Sequence, residues 1–379
     1  MRSETYDIII AGAGIIGLST AMQISQRYPR YKIVILEKES YLAGHQTGNN
    51  SGVMHSGIYY KPGSLKARNC VTGVEALKRF CDLYEIKYDL CGKTIVATSN
   101  DEIPALNELY KRGIENGVLG LEMIDRERLI EIEPHASGVK AIWSPNTGII
   151  DYKEVANAYS NQFRSQGGEI HTGVEIVRSN ETANSIHLET TQGEYSTRWF
   201  INCAGLHADL LARMMGVPLT TRNISFRGEY YTLNDSANYL VRGLIYPVPN
   251  PQFPFLGVHF TKTIYKGIEA GPNAVLAFAR EGYRMRDISL NDCLNLLRYK
   301  GFWAMSARYW KTGISEFYRS ISKTAFTKAL QKLVPEIAEN DLTVGGAGVR
   351  AQAISPDGKL MDDFLIHETK RAIHVLNAP

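Results

Sequence analysis

The chain has no apolar run of membrane-spanning length beyond one interrupted stretch, no C-x-x-C pair, no polar low-complexity tract and no repeat of solenoid length. Each absence removes a class. The interrupted stretch, residues 8–24, begins behind Asp7 with only Arg2 as a basic flank and is broken by Ser19, Thr20 and Gln23, so it reads as a buried strand, turn and helix and not as a leader or a membrane span. Cys70, Cys81, Cys91, Cys203 and Cys293 are scattered singly, which argues against a structural zinc or a redox dithiol, and no metal is expected. Their odd number without a secretory pattern favours a reducing cytoplasm. A net charge of +3 is too small to imply nucleic acid. What remains is ordinary: 379 residues, 44% apolar and 21% charged, suit about two soluble globular domains.

The opening reads as a βαβ unit, with apolar runs at 6–11 and 32–36 around helical spacing at 18–27, and Glu37 directly after the second run. Short runs without alternation fit parallel strands covered on both faces. A glycine-rich polar loop, 43–63, follows and is too long for a plain connection. Further on, 155–166 reads as a helix, and 169–172, 186–190 and 198–203 as strands that resume the α/β pattern. The stretches 93–98, 140–143, 229–233 and 274–279 are strand-like without helical crossovers, which suggests a second, mixed or antiparallel sheet. Residues 290–333 are helical, and Gly345-Gly346-Ala347-Gly348 reads as a glycine turn. The expected fold is α/β: a Rossmann-like dinucleotide domain made discontinuously of 1–90, 151–220 and 340–379, and a substrate domain of 91–150 and 221–339 with a helical insert at 285–335.

Gly12-Ala13-Gly14-Ile15-Ile16-Gly17 follows the first strand and opens the helix. The first glycine permits a sharp turn, the second a close approach of backbone to a pyrophosphate, and the third close packing of helix on sheet. The phosphates would then meet the unpaired amides of a helix N-terminus. An acidic residue about twenty positions on is the partner for ribose hydroxyls, and Glu37 stands there. The loop alone does not separate FAD from NAD.

The segment His45-Gln-Thr47-Gly-Asn-Asn-Ser51-Gly52-Val53-Met54-His55 resembles the stretch that runs under the flavin in the D-amino-acid oxidase superfamily. More narrowly, the blocks at 57–66, 226–229, 245–249, 253–260, 271–277, 280–284 and 348–352 resemble the L-2-hydroxyglutarate dehydrogenase (oxidase) family over essentially the whole chain. The resemblance implies noncovalent FAD and oxidation of L-2-hydroxyglutarate to 2-oxoglutarate. It further implies that Lys38, His45, Thr47, Ser51, Gly52 and Val53 border the cofactor and that Val174 backs the adenine. Cys203, Ala204 and Gly205 lie near the nucleotide, while Gly348, Val349 and Arg350 approach the flavin. The family continues past Asn377-Ala378-Pro379 into a small-residue turn and a last helix facing the flavin, here expected to be cut away or to form a mobile tail.

Oxidising a 2-hydroxy acid requires a base for the hydroxyl proton, and histidine, with a pKa of about 6.5, suits that task at neutral pH. His55 is the first candidate and His259 the second. A dicarboxylate also needs cationic clamps, for which the planar fork of arginine is suited. Arg350 and Arg227 lead on their motifs, with Tyr60 and Arg280 as further candidates. Between Leu294 and Leu333, Arg298, Lys300, Arg308, Lys311, Arg319, Lys323, Lys328 and Lys332 stand against Glu316 alone, with Phe302, Trp303, Tyr309, Trp310, Phe317 and Tyr318 interleaved. Such a segment suits either peripheral contact with an anionic membrane, where a quinone takes the electrons, or a solvated face packed on a small domain. Oxygen is the other acceptor. The chain is accordingly expected in the cytoplasm or on the inner face of the cytoplasmic membrane. The alternatives are an amino-acid or glycerol-3-phosphate oxidase of the same superfamily, and a noncatalytic flavin-binding protein.

Overall fold

The first apolar run forms β1 (Glu4–Ala11), the helix behind the glycines is α1 (Ile15–Arg27), and the second run is β2 (Ile33–Glu37). The computed structural model describes residues 4–249, 256–265 and 267–378. Arg2, Pro379 and the motif residues Phe253, Pro254 and Phe255 lie outside them. β1 lacks alternation because both of its faces are covered. Ile8 and Ile10 pack with Leu18, Ala21 and Phe163 on one side, while Tyr6, Ile9 and Ala11 pack with Val34, Leu188 and Phe200 on the other. Burying each such isoleucine contributes roughly 1.5–3 kcal/mol.

β1 is flanked by β2 and by the strand Gly193–Asn202, both parallel to it, with Glu169–Thr172 parallel beyond β2. Ala372–Asn377 runs parallel along the far half of Gly193–Asn202, and antiparallel strands complete an eight-stranded sheet. The register sets Ala11 beside Asn202 and Glu37 beside Thr172, so the parallel strands end along one edge. In open α/β sheets, ligands bind outside that carboxyl edge.

The second sheet has nine strands, and its only parallel pair among the described residues is Lys93–Ala97 with Leu244–Pro247. One face packs Ile95, Leu244 and Tyr246 against Val53 and Ile58; the other packs Val96, Ile245 and Phe260 against the helix Lys323–Leu330. The glycine cluster at 345–348 is not a turn. It lies inside a 13-residue strand, Leu342–Ile354, that pairs antiparallel with Arg222–Leu233 across the second sheet. The small residues serve close approach: a Cβ on Gly348 would stand 2.6 Å from the Asn49 carbonyl oxygen, and one on Gly345 2.9 Å from that of Tyr230. The segment 340–379 is therefore divided, with 342–354 in the second sheet and 365–377 in the first.

The insert consists of the helices Leu290–Leu297, Lys300–Ile321 and Lys323–Leu330. No helix among the described residues is long and apolar enough to cross a membrane.

A Cβ on Gly17 would lie 2.0 Å from the Gly12 carbonyl oxygen. Gly17→Ala should therefore destabilise the fold by about 1–3 kcal/mol, the usual cost of overpacking, and lower the midpoint of urea unfolding. A midpoint equal to that of the parent contradicts this packing.

Candidate active site at the junction of the two sheets

The glycine loop sits at the carboxyl edge of the first sheet, and its three glycines meet different surroundings. Gly12 has φ of +100°, and a Cβ there would meet the Cys203 carbonyl oxygen at 2.6 Å. Gly17 abuts Gly12. A Cβ on Gly14 would find only Thr47 Oγ1, at 3.3 Å, so the front of α1 is lined by backbone. Gly14 is also the N-cap and supplies no side chain to the helix amides. Thr47, reaching across from the long loop, accepts the Ile15 N–H at 2.9 Å, and Ile16 follows in the first turn. The Glu37 carboxylate, almost wholly buried, accepts the Ala13 N–H at 2.7 Å and the Glu39 N–H at 2.9 Å.

Several of the other expected cofactor residues lie along this edge, and the rest come from the long loop and the second sheet. Cys203 donates its N–H to the Ala11 carbonyl, Ala204 to the Asn202 side chain, and Gly205 approaches Gln46 in a left-handed conformation. Val174 is buried and donates its N–H to the Glu37 carbonyl. Ser51 precedes Gly52, whose φ of +69° and close approach to the Ile150 carbonyl exclude a side chain, and Val53 pairs with Ile149 in a small three-stranded sheet. Lys38 and His45 are tied into a polar network: Lys38 pairs with Glu39 and lies 2.6 Å from Glu281, and His45 is 3.0 Å from Glu39. The hydrogen bond from His207 and then Lys38 hold the Glu281 carboxyl down at about 2, against the cost of its burial. A cavity of about 740 Å³ opens between Gly44, His45 and Asn49 on one side and Tyr230, Gly346 and Ala347 on the other. Gly348 and the buried Val349 follow directly, Gly348 touching the Asn49 backbone.

His55 lies just beyond Val53, its carbonyl accepting the Cys70 thiol at 2.9 Å. Burial first, and then the nearby Lys93, His259, Lys66 and Arg350, hold its imidazole well below the usual histidine range. His259 is buried, stacks on Tyr246 with centroids 3.8 Å apart, and is pushed down to about 3 by burial. Its Nδ1 stands 2.9 Å from the Gly257 carbonyl, a contact that assigns the proton to Nδ1. Tyr60 lies under Lys66, whose ammonium is 4.6 Å from its ring centroid. Arg350 is exposed on Leu342–Ile354, opposite Phe226, with the Tyr230 hydroxyl beside it.

Two expected arginines are elsewhere. Arg227 pairs opposite Val349 and so projects to the opposite face of the sheet from Arg350. It is 2% exposed and donates to Glu229 at 2.9 Å. Arg280 forks onto buried Asp209 at 2.7 and 3.2 Å. Both are neutralised by carboxylates and neither adjoins His55. Lys93, Lys66, Tyr59 and Tyr246, which do adjoin it or line its surroundings, were missed; the available signal was a lysine heading the apolar strand Lys93–Ala97.

The family model described as FAD dependent oxidoreductase matches residues 7–378. The chain belongs to that family. It is 51% identical to an L-2-hydroxyglutarate dehydrogenase of Indibacter alkaliphilus, over 99% of this chain and 94% of that protein. It is 46% identical to that of Escherichia coli (99% and 89% covered) and 42% identical to the human mitochondrial L-2-hydroxyglutarate dehydrogenase (100% and 85%). Among solved structures, an L-alpha-glycerophosphate oxidase of Mycoplasma pneumoniae with FAD bound superposes with a TM-score of 0.79 at 22% identity, covering 98% of this chain and 89% of that one, and shows the fold.

The FAD-dependent family assignment fits the residues present: a helix N-terminus fronted by backbone, a carboxylate at the end of β2, and glycines where backbone must come close. Gly14→Val therefore separates cofactor from fold. Its Cβ meets only Thr47 in the protein, and the branched side chain occupies the approach of a pyrophosphate, so the variant should unfold near the parent's midpoint while losing flavin absorbance. Full flavin occupancy in folded Gly14→Val protein contradicts the assigned loop.

Proposed function

We propose that the protein oxidises L-2-hydroxyglutarate to 2-oxoglutarate with FAD. The observation that carries the reading is the basic surround of one neutral histidine: Lys93, Lys66 and Arg350 all bear on His55. Such a pocket favours a dianion and disfavours an amino acid, which brings its own ammonium. The similarity to L-2-hydroxyglutarate dehydrogenases over nearly the full chain supports this dianion over glycerol 3-phosphate.

Bound FAD supplies the two-electron acceptor for the Cα hydrogen. In the proposed site, Glu37 would receive the ribose hydroxyls, the first turn of α1 at Ile15 and Ile16 would meet the pyrophosphate beside Thr47, which accepts the Ile15 N–H, and Val174 would back the adenine. Thr47, Ser51, Gly52 and Val53, with Gly348 and Val349, would border the flavin. Arg350 clamps a carboxylate and orients Cα; His55 takes the hydroxyl proton. His55 is poised for this because its depressed pKa leaves the imidazole neutral, and a dianion offsetting the surrounding positive charge raises its basicity as the substrate enters.

Anaerobic addition of L-2-hydroxyglutarate should bleach the flavin, whereas glycerol 3-phosphate and amino acids should leave it yellow. Bleaching by one of those alone refutes the substrate. His55→Ala should slow the limiting rate of reduction by about a hundredfold or more, since a general base typically contributes ~10²–10⁴. Because only neutral His55 is competent and its pKa lies below 6.5, protonation of His55 should cost no kcat/KM as pH falls to 6.5 and should reduce it only below that. An acid limb above pH 6.5, or an unaltered rate in His55→Ala, removes His55 from this role.

We further infer that the electrons pass to a quinone at an anionic membrane on which the insert lies. Along the helix Lys300–Ile321, Trp303, Trp310, Ile314, Phe317 and Ile321 recur at helical spacing and face solvent, the two tryptophans 56% exposed. Lys300, Arg308 and Lys311 are exposed on the same helix. Phe302 and Tyr309 instead pack inward with Tyr299 and Ile354, and Glu316 is buried, accepting the Ala274 N–H at 3.0 Å. The exposed surface thus keeps its basic and apolar groups while the acid between Leu294 and Leu333 is withdrawn. An apolar stripe beside cations suits adsorption to anionic lipid. The protein should sediment with anionic liposomes at low salt and be released as salt rises. A protein that stays in the supernatant at low salt leaves oxygen as the acceptor and the insert as a solvated face.

A further inference from the structure

Lys93 is the one lysine among the largest fully buried side chains of the described residues, at 1% exposure. Lysines are almost never so buried unless paired. Yet among the described residues no carboxylate forms an ion pair with it. Its ammonium lies 4.3 Å from the ring centroid of Tyr246 and 4.9 Å from that of Tyr59. Those faces attract a cation but cannot neutralise it. The Tyr59 hydroxyl, in the same place, is shut off from solvent and has no hydrogen-bond partner. A buried cation and a buried hydroxyl, both short of partners, together describe a receptor for an anionic oxygen.

The position is fixed by the sheet. Lys93 pairs with Leu244 on one side and Ser144 on the other, in the interior of the second sheet, whereas Arg350 comes from its far strand. Lys93 and Arg350 both bear on His55 and on His259. The two imidazoles therefore lie among two cationic poles supplied by distant parts of one sheet.

Resting on the reading of the substrate as a 2-hydroxy dicarboxylate, we propose that Lys93, with the Tyr59 hydroxyl, receives the carboxylate remote from the reacting carbon and so sets the preference for a dicarboxylate over a monocarboxylate. Arg350 holds the carboxylate next to the reacting carbon, because Gly348, two residues before it, touches the flavin-flanking loop at Asn49. Burial, the dominant cause, holds Lys93 down at about 7, and an arriving carboxylate restores its charge. The other groups around it, His55, His259, Cys70, Cys91 and the hydroxyls of Tyr59 and Tyr246, do not change charge near neutrality: both imidazoles are already neutral, both thiols are held near 11, and burial pushes both phenols up.

The test is anaerobic flavin reduction of the FAD-loaded protein by L-2-hydroxyglutarate and by L-2-hydroxypentanoate, which carries a methyl in place of the remote carboxylate. Lys93→Met should raise the apparent dissociation constant of the dicarboxylate about 10- to 100-fold, as expected for a lost charged hydrogen bond, and should alter reduction by the monocarboxylate far less. In the parent, dicarboxylate affinity should weaken as pH rises through about 7, where Lys93 loses its proton, and the variant should lack that limb. Removing an unpaired buried charge should also leave thermal stability equal or higher, whereas loss of a merely structural lysine would lower it. Lys93→Gln, polar but uncharged, should give the same substrate discrimination should the methionine variant fail to accumulate. Equal losses with both substrates, or no change with either, overturn the proposal. A parent that L-2-hydroxyglutarate does not bleach refutes the underlying reading instead, and the proposal falls with it.

Discussion

Everything downstream depends on the contact between the Gly12 carbonyl and the first turn of α1, which leaves room for no side chain at Gly17. That contact seats the helix on the sheet, points its N-terminus along the carboxyl edge, and leaves Gly14 facing outward. Thr47 then draws the long loop onto the same helix end. Once the loop is held there, the chain leaving it can place Val53 against Ile149 and deliver His55 to the second sheet. The cofactor and substrate halves of the proposed site are thus joined by one continuous stretch, from Thr47 to Tyr60.

The second constraint is electrostatic. Arg227 pairs with Glu229 and Arg280 with Asp209, so these charges satisfy each other and the fold. Lys93 has no such partner among the described residues, and burial drives its ammonium toward neutrality. The same desolvation acts on His55 and His259 and leaves them without charge. A buried cluster of this kind is unfavourable without an anion and favourable with one, which is the basis of the dianion selectivity proposed for it.

The glycine loop, β1, α1, β2 and Glu37 were legible because their signals are local: apolar runs, fixed glycine spacing and one acid at the strand end. The second sheet was legible as a texture, but its partners were not, since Arg222–Leu233 meets Leu342–Ile354 across more than a hundred residues of sequence. Gly345 to Gly348 read as a turn because glycine in a sequence does not distinguish a reversal from a strand pressed against another backbone. The pairing of Arg280 with Asp209, 71 residues away, was equally hidden, though the i, i+2 spacing of Arg227 and Glu229 on one strand face could have been seen. Lys93 was passed over because its importance lies in the absence of a nearby carboxylate, which only the folded chain reveals.

The central claim is that the basic cluster around His55 takes a dicarboxylate beside the flavin. A crystal structure of the FAD-loaded protein with 2-oxoglutarate tests it most directly. The account predicts the ligand between the flavin and His55, with one carboxylate on Arg350 and the other at Lys93 and the Tyr59 hydroxyl. A ligand seated away from His55, or held by Arg227 or Arg280, would contradict it.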